Sequence, residues 1–399
     1  GLKDRYVSSQ PSSVQPLKDA FSRALEFPFL LIKWPIDQGL LFTEKHRLDK
    51  KTFWIYEQML EHGFKPRFGT VDIAWMPYYG ADLNFLALTG QKDRFPDFFV
   101  KGTVLQCPTV FLQTGAEIGA QRIGGTGLHS KGFVNYDKEE REPFYGIGPH
   151  SSRGDDTTYR METTQVGFQT GYEFSPTIDL SGDFDYKHVK ISSHVHDNKS
   201  DIASIFGPNV PGLSGDNLLG YTMMLRRDTR DSKDDATRGS YQQLLFRYTD
   251  GVNHSSARYF TYQLDMAKYF QLASPRRVFV ARLFAECNDE VDHGTIPFYN
   301  MAKLGGEGSN PKESETSRAF VYNRFYGEDA LLVNLEYRYT VMEYRGFKLK
   351  TAFFSDTGQV FEKISKFQFS DFRESYGVGF YLSYAKNTVV NFSVAHGDE

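Results

Sequence analysis

"ALLVNLEYRYTV", residues 330–341, decides the fold. From Leu331 onward the large apolar residues fall on odd positions: Leu331, Val333, Leu335, Tyr337, Tyr339 and Val341. The even positions after Leu332 carry Asn334, Glu336, Arg338 and Thr340. Successive side chains of a strand point to opposite faces, so strict alternation describes a strand with two unlike surroundings. In a soluble two-sheet sandwich the apolar face would line a core and the polar face would meet water. In a membrane barrel the apolar face meets lipid and the polar face lines a wet lumen.

Composition separates the two. Tyr and Phe number 24 and 35 in 399 residues, which would demand a very large core in a soluble protein. Mean hydropathy is nonetheless −0.47, and no window approaches the roughly 20 apolar residues of a spanning helix. Lipid-facing strands with aromatic girdles and a polar lumen reconcile the two facts. Lys plus Arg is 46 against 50 Asp plus Glu, a net charge of −4. That balance carries no nucleic-acid footprint, and no nucleic-acid partner is expected. Cys107 and Cys287 offer neither zinc spacing nor a CxxC pair, and two isolated buried or lipid-facing thiols are expected ahead of the alternative, a single disulfide between them. Gly1 is not an initiator methionine, which suggests export with a removed signal peptide.

Residues 1–66 differ from the rest. In "QPLKDAFSRALEF", Leu17, Phe21, Ala24 and Leu25 recur at helical spacing, and "PFLLIKWP" is an apolar run closed by Pro35. "DKKTFWIYEQMLEHG" offers Asp49 as an N-cap and Gly63 just past the end. This segment reads as helical, a plug or periplasmic cap. From 67 to 399 the period is two. Fifteen candidate strands follow, the first two at 69–77 and 82–89. In 374–385, for example, Tyr376, Val378, Phe380 and Leu382 oppose Gly377, Gly379 and Ser383. No helical crossover separates the strands, so the expectation is an all-β membrane protein, an antiparallel transmembrane β-barrel of about sixteen strands. Tight links such as "SPT" at 175–177 contrast with long polar ones at 139–156, 193–216, 231–239 and 288–329. Short turns at one end and long loops at the other fit an outer-membrane barrel.

Candidate chemistry is sparse. His194 and His196 in "HVHD" have no further ligands nearby and read as solvated histidines rather than a metal pair. "GLSGD" at 212–216 lacks the pattern and context of a nucleophile elbow. "DTRDSKDDATR" at 228–238 reads as a hydrated extracellular loop. No cofactor, catalytic group or metal site is expected, and the protein is not read as an enzyme.

Four stretches occur in one order: "IPFYNMAKLGG" (296–306), "SRAF" (317–320), "NRFYGEDALLVNLEYRY" (323–339) and "FFSDTGQVF" (353–361). Together they resemble the C-terminal half of the bacterial surface-antigen barrels, the BamA/TamA-like superfamily of outer-membrane insertases and translocases. "EPFYGIGPHSS" at 142–152 is similar to a loop segment of its members. The resemblance covers about residues 68–396 and is strongest from 296 to 384. Its most specific element is Phe354, Asp356 and Gly358 with the Glu-Tyr-Arg of residues 336–338.

The resemblance implies a sixth extracellular loop, here 288–329, folded back into the lumen. Arg318 would be its tip and Phe320 its aromatic, held by Asp356, with Glu336 nearby. Asn334 and Arg338 share the lumen face of the same strand. It also implies partners: the outer-membrane bilayer with its lipopolysaccharide, and a protein substrate or a partner outer-membrane or periplasmic protein. Three departures stand out. Ala319 occupies the family's glycine position, and is strained there if the tip needs φ > 0. Residues 1–66 are too short and too helical for a POTRA domain. Fifteen strands leave one unpaired edge, to be met by a further segment, a partner or the N-terminal region. The function expected is insertion, assembly or translocation of proteins or lipids. The alternatives are a structural subunit of a larger complex and a plugged channel.

Overall fold

A computed structural model describes residues 48–71, 76–193, 200–233, 235–306, 317–344, 346–384 and 387–398. The helical pattern at 17–25, the run 28–35 and His194 and His196 lie outside them. The wall is a single antiparallel meander. It runs through β1 (Phe64–Val71), β2 (Met76–Asn84), β3 (Phe98–Cys107), β4 (Phe111–Ala120) and β5 (Leu128–Phe144). It continues with β6 (Thr157–Ser175), β7 (Ile178–Ser193), β8 (Asp216–Asp228), β9 (Gly239–Val252), β10 (Arg258–Gln271) and β11 (Arg277–Glu290). A short ribbon, β12 (Ala302–Leu304) with β13 (Phe325–Gly327), interrupts it before β14 (Asp329–Tyr344). β15 (Phe347–Phe361), β16 (Arg373–Tyr384) and β17 (Asn387–Gly397) complete a sheet of fifteen strands, each paired with its neighbours along the chain. Strand length varies from 19 residues in β6 to 8 in β1.

Alternation places the side chains. On the outer face of β7–β10, Phe184, Tyr221, Tyr248, Phe260, Phe246 and Tyr262 form a chain of ring contacts with centroids 5.0–6.2 Å apart. This is an aromatic belt on a lipid-facing wall. On the inner face, charges pair across strands: Lys131 with Glu117, Arg247 with Asp185 and Arg282 with Asp265. The ladders satisfy the backbone groups that lipid could not. No helix among the described residues is long and apolar enough to cross a membrane. Cys107 and Cys287 are both free.

Three details differ from the sequence reading. The first strand is Phe64–Val71 rather than 69–77. Alternation continues back through Pro66, which is tolerated because β1 pairs only with β2. The second ends at Asn84, whose side chain accepts a hydrogen bond from Ala87 N and caps a short helix, α2 (Phe85–Leu88), following α1 (Leu48–Glu61). Helix α1 begins one residue ahead of Asp49, so that aspartate lies in the first turn rather than at the cap; Gly63, at φ +81°, ends it.

A further correction concerns 228–238. Connections of a meander alternate ends, and the link after β8 lies at the same end as the tight turns after β6 and β14. That end is periplasmic in barrels of this design. The link is also not fully hydrated. Asp235 and Ala236 are buried, and Asp235 accepts hydrogen bonds from Lys348 (3.2 Å) and Lys350 near the start of β15. The turn is tucked under the lumen, because a carboxylate there meets two inward-facing ammonium groups.

Candidate functional site

The lumen is built around three alternate positions of β15: Phe354, Asp356 and Gly358. Spacing of two puts all three on the inner face, and each does something different. Phe354 lays its ring beneath Arg318, with the guanidinium carbon 3.5 Å from the ring centroid. Asp356 accepts from Arg318 Nε (2.9 Å), Nη2 (2.7 Å) and its backbone N–H (3.1 Å). Gly358 leaves a vacancy, since a Cβ there would come within 3.1 Å of Leu304 Cδ1 on the ribbon. A ring, an anion and a gap receive one loop.

β14 supplies the second layer. Asn334 faces Asp356 in register and donates its amide to Asp356 Oδ1 at 2.8 Å. Glu336 accepts from Arg318 Nη1 at 2.6 Å and is also bonded by Arg338. Tyr381, inward on β16, lies 3.4 Å from Glu336 Oε2. Two guanidiniums and two carboxylates therefore form a quartet of no net formal charge. The Arg318 side chain is 4% exposed and Asp356 fully buried. Charge-assisted, bidentate bonds are the means by which such a group is kept out of water at tolerable cost.

The loop tip rests on the last strand. Ala319 is not among the described non-glycine residues with positive φ, so the methyl group introduces no backbone strain. A Cβ on Gly397 of β17 would stand 2.8 Å from Ala319 Cβ and 3.1 Å from Phe320 Cζ. The strain expected of Ala319 is thus absent, and the space is provided by a glycine in the wall. Phe320 is buried with Leu304, Phe325, Leu332 and Val360, and meets Phe325 edge-on at 5.2 Å.

The stretch 142–152 forms the opposite support. Asn323 donates to Glu142 (3.0 Å), Tyr326 O–H to Pro143 O (2.8 Å), and Arg324 to Ser151 O (2.8 Å). Gly148 N–H donates to Tyr326 O, and Arg373 reaches Pro149 O. Asn323 holds φ +51°, a left-handed geometry its side chain tolerates. Phe144, Tyr159, Phe298 and Tyr326 pack edge-on beneath.

All nine residues singled out in sequence, Asn334, Arg338, Arg318, Ala319, Phe320, Glu336, Phe354, Asp356 and Gly358, thus meet in one region. Sequence reasoning did not reach Tyr381, Gly397, Glu142 or Asn323. A signal existed for the wall: Gly377 and Gly379 alternate on the lumen face of β16, and a glycine on an inner face marks close approach. Away from the lock, on the lumen face of β3–β9, a cavity of about 550 Å³ is lined by Lys101, Glu117, Lys131, Asn135, Asp183 and Arg247, with Phe133 and Leu245. Among the described residues no cluster of three or more His, Cys, Asp or Glu is arranged for a metal ion.

The Omp85 superfamily domain model matches residues 114–393. Among solved structures, BamA from Haemophilus ducreyi lacking POTRA domains 1–3 aligns with TM-score 0.56 and 14% identity, over 84% of this chain and 69% of that one. CdiB from Acinetobacter baumannii aligns with TM-score 0.44 and 12% identity, over 84% and 59% respectively. No curated protein matches the chain.

Proposed function

Since the chain belongs to the Omp85 superfamily, we propose that it inserts, assembles or translocates proteins at the bacterial outer membrane by offering a sheet edge, without covalent chemistry. One observation carries the reading. Ladders run unbroken from β1 to β17, and among the described residues none joins β17 back to β1. Wherever that seam opens, N–H and C=O groups are exposed that lipid cannot satisfy. An incoming strand satisfies them by adding to the sheet. The lock supports this use of the edge, because Ala319 and Phe320 pack against Gly397 on the strand that would receive the newcomer. Arg318 and Asp356 would hold that wall in place while the edge is open.

The test uses the purified protein in phospholipid vesicles with a urea-unfolded outer-membrane barrel as substrate. Folding several-fold faster than in empty vesicles is expected. A cysteine in β1 and another in β17, in a Cys107→Ser/Cys287→Ser background, should abolish the gain on oxidation and restore it on reduction. No acceleration, or acceleration that survives a verified cross-link, overturns the proposal. A gated channel is the second reading, favoured by the cavity on the lumen face of β3–β9. It predicts conductance in planar bilayers that follows the state of the loop.

A further inference from the structure

The rim beside β1 carries an apolar surface that neither the barrel wall nor the lock uses. None of residues 54–61 of α1 is buried; Trp54, Ile55 and Leu60 are exposed, and Tyr56 and Met59 partly so. At 100° per residue, Ile55, Met59, Tyr56 and Leu60 share one side of the helix, opposite Glu57, Gln58 and Glu61, among which Trp54 stands. Such a face is unfavourable in water and needs a cover.

The position of α1 identifies the cover. Its end is fixed to α2: Gly63 O accepts from Asn84 N–H at 2.7 Å, and a Cβ on Gly63 would lie 2.7 Å from Ala87 Cβ. α2 in turn lies on the outside of the wall. Leu83 and Gly102 face each other in the register of β2 and β3, on the face opposite the lumen residues Asp82 and Thr103. A Cβ on Gly102 would meet the Phe85 ring at 3.1 Å, so that ring lies against the lipid-facing side. Leu88, Phe95 and Phe98 are exposed along the same rim, and Arg94 sits over the Phe95 ring at 5.4 Å. The C-terminal end of α1 is therefore anchored on the lipid-facing side of the wall, at the end of the tight turns.

We infer that α1 and α2 form an interfacial platform. They lie in the headgroup–acyl boundary of the periplasmic leaflet beside β1, with lipid as the partner of the Ile55–Met59–Leu60 face. An amphipathic helix lies in this plane when its apolar side is buried in the acyl boundary and its polar side stays hydrated.

Single cysteines at 55, 59, 60, 57 and 61 are introduced into the full chain carrying Cys107→Ser and Cys287→Ser. Each is spin-labelled in phospholipid vesicles, and accessibility to oxygen is compared with that to a water-soluble nickel chelate. If the double serine background does not fold, Cys287→Ser alone serves, since Cys107 is buried. The oxygen-to-nickel ratio should be several-fold higher at 55, 59 and 60 than at 57 and 61. Nickel access at all five positions would place the helix in water and overturn the inference. Exclusion of both reagents at 55, 59 and 60 would mean a protein cover and overturn it equally.

Discussion

Asp356 neutralises a buried cation, so its removal costs more than the hydrogen bonds it accepts. Asp356→Ala leaves Arg318 with only Glu336 as carboxylate partner, and a buried pair broken from one side loses about 3–5 kcal/mol. The unfolding midpoint in urea should fall accordingly; an unchanged midpoint would refute the lock. The Ala319–Gly397 contact admits a sharper test. Gly397→Ala forces two methyl groups to 2.8 Å, an overpacking of about 1–3 kcal/mol. Ala319→Gly should remove most of that cost in the Gly397→Ala background, although alone it loses a contact and adds chain entropy. A double-mutant cycle with no coupling would show that the tip does not touch β17.

Strands repeat every two residues, so the inward positions of β14, β15 and β16 were legible without any structure. The resemblance added which residue of the loop they receive. Contacts such as Asn323 with Glu142, 181 residues apart, were not legible, because no local period encodes them. The turn between β8 and β9 was misread for another reason. Its charge suggested hydration, while counting strands would have put an even-numbered link at the tight-turn end. Its burial depends on Lys348 and Lys350, which follow more than a hundred residues later. Asp235→Asn should therefore release the turn. Trypsin cleavage at Arg230, Lys233 or Arg238 of the folded barrel should accelerate by about tenfold or more, the effect of weakening a buried pair. Equal cleavage rates would place the turn outside the lumen.

Across the whole molecule, the lumen is narrowed twice: by the ribbon and loop tip from one end, and by the Asp235 turn from the other. Two constrictions in series make conductance insensitive to opening either alone. Arg318→Ala and Asp235→Asn should each raise single-channel conductance modestly, and together by several-fold more than their separate gains. Porin-like conductance of the unmodified protein would contradict that arrangement. Strand length has a consequence for the bilayer itself. The eight described residues of β1, at a rise of about 3.3 Å and a tilt of about 40°, span about 20 Å, short of the roughly 25 Å apolar band of such barrels. On the β6 side no such shortfall exists. Hydrophobic mismatch, at fractions of a kcal/mol per Å, is then expected on one flank only, and local thinning of the lipid is one way to relieve it. The bilayer should therefore be thinner beside β1 than beside β6, and lipid quenchers of graded depth read against single labels on the two strands would measure the difference.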